Sequence, residues 1–285
     1  MNAGASQRRE ASPAPRAPHA LARLATRALW DELALHPKPG LVSFEDPGAH
    51  GDMDARTFMR SLFALRPHFA ALAAAGAQNA AFADLRAIGI DAEAAMLAAT
   101  RGVNTHRGAI FALGLLVAAV ARIEAAEGRA DDTAIRATLR ATWGAALAAH
   151  AAAPGTVSHG ALVGARHGAG GARAQAAAAF PAVFDIALPA LRTARARGAD
   201  AQHARLAALF ALIACVDDTN VLYRGGLAGL AFVQTCGRAF GAAVDPLAYA
   251  AATHRAFVAR RLSPGGVADL LAATLFVDAV GRTSR

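Results

Sequence analysis

Apolar positions along this chain recur at helical spacing. Leu21, Leu24, Ala28, Leu29 and Leu33 fall on one face of a helix that opens near Pro18. That helix must stop at His36-Pro37-Lys38-Pro39-Gly40, where prolines and a glycine interrupt the backbone ladder. A second helical stretch starts near Asp52 and runs through Phe58, Leu62 and Leu65, with a kink or break expected at Pro67. The same period predicts helices at roughly 89–100, 106–127, 131–152, 181–197, 201–216, 226–241, 245–261 and 265–280. β-branched residues are sparse, and no segment alternates with the period of two that a strand requires. Gly-rich or polar connectors separate the helices at 36–52, 101–106, 154–173, 217–226 and 262–266. No linker divides the body and no repeat is present. The expected fold is all-α: a disordered, Pro-rich N-terminal tail over 1–17, then one helical catalytic domain over 18–285 with about nine to eleven packed helices.

Composition narrows the function classes. Two cysteines, Cys215 and Cys236, form no disulfide framework, which fits a reducing, cytoplasmic setting. The N-terminus has no apolar core of the kind a secretory signal carries. The longest apolar run, Gly108 to Ala121, lies between two arginines and is too short to span a membrane. The formal net charge is +8. Its basic runs are short and not interleaved with aromatics, which argues against nucleic acid and for a basic pocket that takes polyanionic small molecules. Lys38 is the only lysine among 29 basic residues, so a compact or adjustable charge is of use there.

The connectors concentrate the chemistry. Lys38, stiffened by its flanking prolines, suits phosphate as a point charge, or is simply exposed at a helix stop. His50, Asp52 and Asp54 precede a helix; Asp52 can cap it or help hold Mg²⁺. Asn104 or Thr105 caps the next helix, which puts His106 and Arg107 at a positive helix end that a bound anion would favour. Asp217 and Asp218 repel each other unless a cation or a helix N-terminus offsets them. Asn220 and Arg224 follow closely. Ser263 can cap the last helix, Gly265 and Gly266 allow close approach of a ligand, and Asp269 sits early in an apolar helix. The set suits Mg²⁺–nucleoside triphosphate chemistry without a P-loop, a zinc-hydrolase signature or a serine-hydrolase elbow.

These motifs, in order, resemble the triphosphoribosyl-dephospho-CoA synthase family. The resemblance rests on Lys38-Pro39-Gly40-Leu41-Val42, Gly48-Ala49-His50 with Asp52-Met53, and the string Gly102-Val103-Asn104-Thr105-His106-Arg107-Gly108-Ala109-Ile110-Phe111. It continues through His159-Gly160, Gly171-Ala172-Arg173, Phe180-Pro181, Leu188-Pro189, Asp218-Thr219-Asn220, Arg224-Gly225-Gly226 and Ser263-Pro264-Gly265-Gly266 with Ala268-Asp269-Leu270-Leu271. Leu41-Val42-Ser43-Phe44 and Met53-Asp54 look more like the malonate decarboxylase branch than the citrate lyase branch. The sequence departs from the family pattern in having Arg107 for lysine, Ser158 for threonine, Gln175 for glutamate and Ala179 for glycine.

The resemblance implies a glycosyl transfer. The 2′-hydroxyl of dephospho-CoA attacks C1′ of the ATP ribose and adenine leaves. The product is the prosthetic-group precursor for a decarboxylase or lyase carrier protein. Phosphate contacts then fall to Lys38, His50, Asn104, Thr105, Arg107, Arg173, Asn220, Arg224, Ser263, Gly265 and Gly266. Mg²⁺ falls to Asp52, Asp217 and Asp218, and acid/base work to Asp269, His106 and Asp218. Partners are ATP and dephospho-CoA, with no membrane and no nucleic acid, and a homodimer is compatible with the sequence. The rival readings are a Mg²⁺-dependent hydrolase of ADP-ribose-type N-glycosidic bonds and a basic RNA-binding module.

Overall fold

The computed structural model describes residues 15–126, 128–153 and 170–283. Among these the chain is helical without a strand, as the periodicity predicts. The helices are α1 (Pro18–Leu33), α2 (Ala55–Ala77), α3 (Phe82–Ala99) and α4 (Arg107–Ala125). Next comes α5 (Asp132–Thr138), which winds through a π turn (Leu139–Trp143) into α6 (Gly144–Ala152). Beyond them lie α7 (Gly171–Ala177) and a second π turn (Ala182–Ala187) leading into α8 (Leu188–Ala196). The last four are α9 (Ala201–Cys215), α10 (Thr219–Ala239), α11 (Pro246–Ala259) and α12 (Gly265–Thr283). Residues 1–14 of the expected tail, and His159-Gly160 with most of the 154–173 connector, lie outside the described residues. At the tail's end, Arg16 is ion-paired to Glu124 of α4.

The core is built around α4. Leu113, Leu116, Val117 and Val120 on it are fully buried, and α2, α3, α12 and α1 all pack against it. Small residues set that spacing: a methyl on Gly76 of α2 would overlap the backbone of Ala118. By length and composition α4 would cross a membrane, being longer than the apolar run Gly108–Ala121 alone. However, 72% of its apolar window is buried within the protein. Its apolarity is accounted for by its place in the core.

Several boundaries differ from expectation for local reasons. The chain does not break at Pro67; α2 runs through it. Pro67 leaves the Phe63 carbonyl without an N–H, but both residues are exposed and water can take that bond. Helix α3 starts seven residues early because Asp84 reaches back to the Ala81 N–H, replacing the missing cap. Helix α10 starts at Thr219, inside the expected 217–226 connector, and breaks only at Gly226, whose φ of 59° a glycine tolerates. Asp54, not Asp52, caps α2, accepting the Thr57 N–H at 2.8 Å.

Candidate active site

The N-termini of α4, α10 and α12 open onto one cavity of about 1380 Å³. Every sequence-predicted site residue lines it except Asp52.

Asp269 projects from the first turns of α12 onto the start of α4, where it accepts a hydrogen bond from the Ala109 backbone. Gly108 makes this possible: a Cβ there would lie 3.0 Å from the Asp269 Cγ and closer still to Oδ2. Burial, reinforced by the negative charges of Glu32 and Asp218, holds the Asp269 carboxyl well above the usual carboxylate range. His106 immediately precedes α4 and is buried. Its Nδ1 meets the Ser61 hydroxyl of α2 at 2.6 Å, and its ring lies edge-on to Phe58. Among the described residues its Nε2 has no partner, and neither does the buried Oγ1 of neighbouring Thr105. Burial, with Lys38 nearby, lowers the His106 pKa to about 3, so the imidazole is neutral.

Asp218 joins two helices. Its Oδ1 accepts the N–H groups of Asn220 and Val221 at the start of α10, and its Oδ2 accepts that of Val267 in α12 at 2.9 Å. Its neighbour Gly266 leaves room for that carboxylate, and Gly265 for Asn220. These bonds stabilise the charge, yet burial still raises the Asp218 pKa.

Lys38 is not the exposed loop lysine that its segment allowed. It is 1% exposed, and its ammonium donates to both the carboxylate and the carbonyl of Glu32. Burial pushes the Lys38 pKa down and that of Glu32 up, each partly offset by the other's charge. Two of the three ammonium donors are thus committed to Glu32, and both residues line the cavity. The lysine backbone is clamped in turn by His254, whose Nδ1 lies 2.8 Å from the Lys38 carbonyl. Sequence reasoning missed Glu32, although its signal was available. It sits four residues from Ala28 and three from Leu29, an acid within the apolar stripe of α1.

Arg224 does not pair with the aspartates. It donates to the carbonyls of Ala49 and Arg261 and meets Nδ1 of His50 at 3.2 Å, which fixes that nitrogen as an acceptor. His50 Nε2 then donates to Ser263 Oγ at 2.8 Å. Burial, then Arg224, lower the His50 pKa, in keeping with a neutral ring. Ser263 is therefore a tie to His50, and α12 begins at Gly265 rather than Pro264. Together these bonds fasten the 48–51 loop to the α10 and α12 ends.

On the cavity's rim Arg107 is ion-paired with Glu93 of α3, and Asn104 Oδ1 accepts the Arg107 N–H. Arg173 reaches the His150 carbonyl, and the His150 ring lies 5.4 Å from Phe82 and 5.8 Å from Phe111. The two departures nearby have structural readings. Gln175 Oε1 accepts the Ala182 N–H, as a glutamate oxygen would. Ala179 has φ of 57°, the left-handed region where glycine is free of strain.

The metal set needs correction. Asp52 lies outside the cavity with 65% of its side chain exposed, 3.6 Å from His50. Asp217 is held by Gln234, and Asp218 spends its oxygens on backbone amides. Among the described residues no three His, Cys, Asp or Glu converge as a metal cage. Asp52 pairs beside His50, Asp217 meets Gln234 of α10, and Asp218 bridges α10 and α12. Mg²⁺ does not require such a cage, since it binds through one or two carboxylates with water and substrate phosphate. Asp217 fits that role chemically, since it lines the cavity and Gln234 takes only one of its oxygens.

Buried carboxylates, a neutral histidine, a buried lysine and three helix N-termini around a cavity larger than ordinary ligand pockets define a helical transferase for nucleotide substrates. Comparison with known proteins gives the family. The sequence profile of the ATP:dephospho-CoA triphosphoribosyl transferase (CitG) family matches residues 18–285, and the chain belongs to that family. It is 44% identical over 278 residues to a protein of Stutzerimonas stutzeri (strain A1501), covering 94% of each chain. It is 46% identical over 268 residues to one of Pseudomonas aeruginosa (strain UCBPP-PA14), covering 90% of this chain and 89% of the other. It is 44% identical over 271 residues to one of Pseudomonas putida, covering 92% and 94%. Each carries the name probable 2-(5''-triphosphoribosyl)-3'-dephosphocoenzyme-A synthase. No solved structure matches the chain.

Proposed function

We propose that this chain transfers the triphosphoribosyl group of ATP to the 2′-hydroxyl of dephospho-CoA, releasing adenine, with Asp269 as the base. In this reading the C1′–N9 bond of ATP breaks as the bond from the acceptor oxygen to C1′ forms. The hydroxyl proton passes to Asp269, which then gives it up to solvent, while adenine takes a proton from solvent and leaves as the neutral base. Such a transfer runs through an oxocarbenium-like transition state, which nearby carboxylates stabilise. The observation that supports this reading is the partly buried Asp269 carboxyl, raised in basicity and set against the start of α4 in a cavity with room for two substrates. A raised pKa suits a base that must act near neutral pH.

Mg²⁺ would arrive with the triphosphate, using the free oxygen of Asp217 as protein ligand and neutralising phosphate charge. Thr105, Arg107 and Arg173 lie where phosphates would be met. His106 stays neutral and offers Nε2 to the substrate rather than a full proton. The Leu41–Phe44 segment supports the malonate decarboxylase carrier as the destination, and the two cysteines without a disulfide framework support a cytoplasmic enzyme. Asp269→Asn tests the assignment. It should bind MgATP with little change by calorimetry and lose product formation by about 10²-fold or more. Wild-type turnover in this variant would remove Asp269 from the chemistry.

A further inference from the structure

We propose that Ser61, which does not line the cavity, is a positioning residue that locks His106 as the tautomer with its proton on Nε2. The inference deepens the reading above and rests on it for the substrate, though not for the tautomer.

Ser61 lies in α2 and is fully buried, and its Oγ is 2.6 Å from His106 Nδ1. A buried serine hydroxyl in a helix ordinarily donates to the carbonyl four residues back. Thr26, Thr100, Thr235 and Thr274 all do so here. Ser61 makes no such bond, and His106 Nδ1 is the one acceptor its hydroxyl meets among the described residues. The hydroxyl proton therefore points at Nδ1. A neutral imidazole that accepts at Nδ1 carries its hydrogen at Nε2. The ring is neutral because it is buried with Lys38 nearby. It cannot turn freely, since Phe58 packs edge-on against it at 4.8 Å.

The result is a buried N–H with no partner among the described residues, on a ring that lines the cavity at the start of α4. An unpartnered buried donor is costly, so the site is built for an acceptor brought by substrate. Lys38, its ammonium committed to Glu32, lies near the ring, and Asp269 lines the same cavity. A neutral donor is what a ring nitrogen of departing adenine needs as electron density builds on it, since it stabilises that density without first losing a proton to Asp269.

The test uses the full-length protein. In long-range ¹H–¹⁵N spectra, His106 should show a pyrrole-type Nε2 and a pyridine-type Nδ1, unchanged from pH 5 to 8. Ser61→Ala removes one oxygen and leaves a good helix former, so the fold should hold and the melting temperature should change little. In that variant kcat should fall about tenfold with KM for ATP nearly unchanged. The His106 nitrogen shifts should move toward a mixture of tautomers. Ser61→Cys, a weaker donor, should fall between. In His106→Gln, adding Ser61→Ala should have no further effect, because Ser61 acts only through the ring. A wild-type Nδ1–H tautomer, or unchanged kcat in Ser61→Ala, overturns the proposal. If the wild type releases no adenine, the reaction assignment fails instead, while the nitrogen spectra still decide the tautomer.

Discussion

Gly108→Ala separates the chemistry of this site from its folding. In most helices the change helps, by up to about 1 kcal/mol. Here the added Cβ would stand 3.0 Å from the Asp269 Cγ and within overlap of Oδ2. The flexible end of Asp269 must retreat by about 1 Å to regain ordinary contact, leaving its hydrogen bond to Ala109. Overpacking costs about 1–3 kcal/mol, partly offset by the helix preference of alanine. The net loss of stability is therefore about 1–2 kcal/mol, a drop in melting temperature of only a few degrees. A displacement of about 1 Å in a reacting group can cost about 10² in rate. The variant should thus fold, bind MgATP and release adenine about a hundredfold more slowly. Gly241→Ala, where a methyl meets nothing within 4 Å, is the matched control and should behave as wild type. Adenine release by chromatography and thermal melting are the measurements. Near-normal turnover in Gly108→Ala would refute the claim that the Asp269 position matters.

Other consequences follow from the same geometry. Lys38→Met leaves Glu32 buried and unpaired and should destabilise the fold by about 3–5 kcal/mol in chemical denaturation; adding Glu32→Gln should restore much of it, and additive losses would contradict the pairing. Asp218→Asn should weaken the fold by about 1.5–3 kcal/mol as well as activity, because an amide cannot accept all three backbone N–H groups; an unchanged melting temperature would mean that those bonds do not tie α10 to α12. Asp269 has a folded pKa above its unfolded value, so the folded state holds its proton more tightly and stability falls as pH rises between the two values. Asp269→Asn should therefore be more stable than wild type at neutral pH, with the gain shrinking toward pH 4, while wild-type activity should rise with pH through the Asp269 titration; a Tm difference independent of pH would refute this.

Much of this architecture is legible in the sequence because its signals are local. The 3.6-residue period of Leu21 to Leu33 and the helix stop at Pro37–Gly40 place α1 correctly. The connectors converge because helix ends carry the caps and glycines that both end helices and approach ligands. The long string from Gly102 to Phe111 marks the start of α4, which lines the cavity. What was not legible depends on contacts between distant segments. Nothing in sequence pairs Ser61 with His106 forty-five residues away, or aims Arg224 at carbonyls of Ala49 and Arg261. Lys38 read as a phosphate contact or an exposed loop lysine because its partner Glu32 lies on the preceding helix, in an apolar stripe where an acid draws no attention. The metal assignment grouped aspartates near one another in sequence, while the fold sets Asp52 outside the cavity, gives Asp217 to Gln234 and uses Asp218 to join α10 to α12.

The central claim is a transfer that needs both substrates in one cavity, and adenine release measured with and without dephospho-CoA tests it directly. With MgATP and dephospho-CoA, the account predicts one adenine released per dephospho-CoA consumed. Mass spectrometry should find a product that carries the triphosphoribosyl group on the acceptor, and no adenine should appear when the acceptor is left out. Adenine released from ATP alone, with water as acceptor, would show a hydrolase and contradict the account.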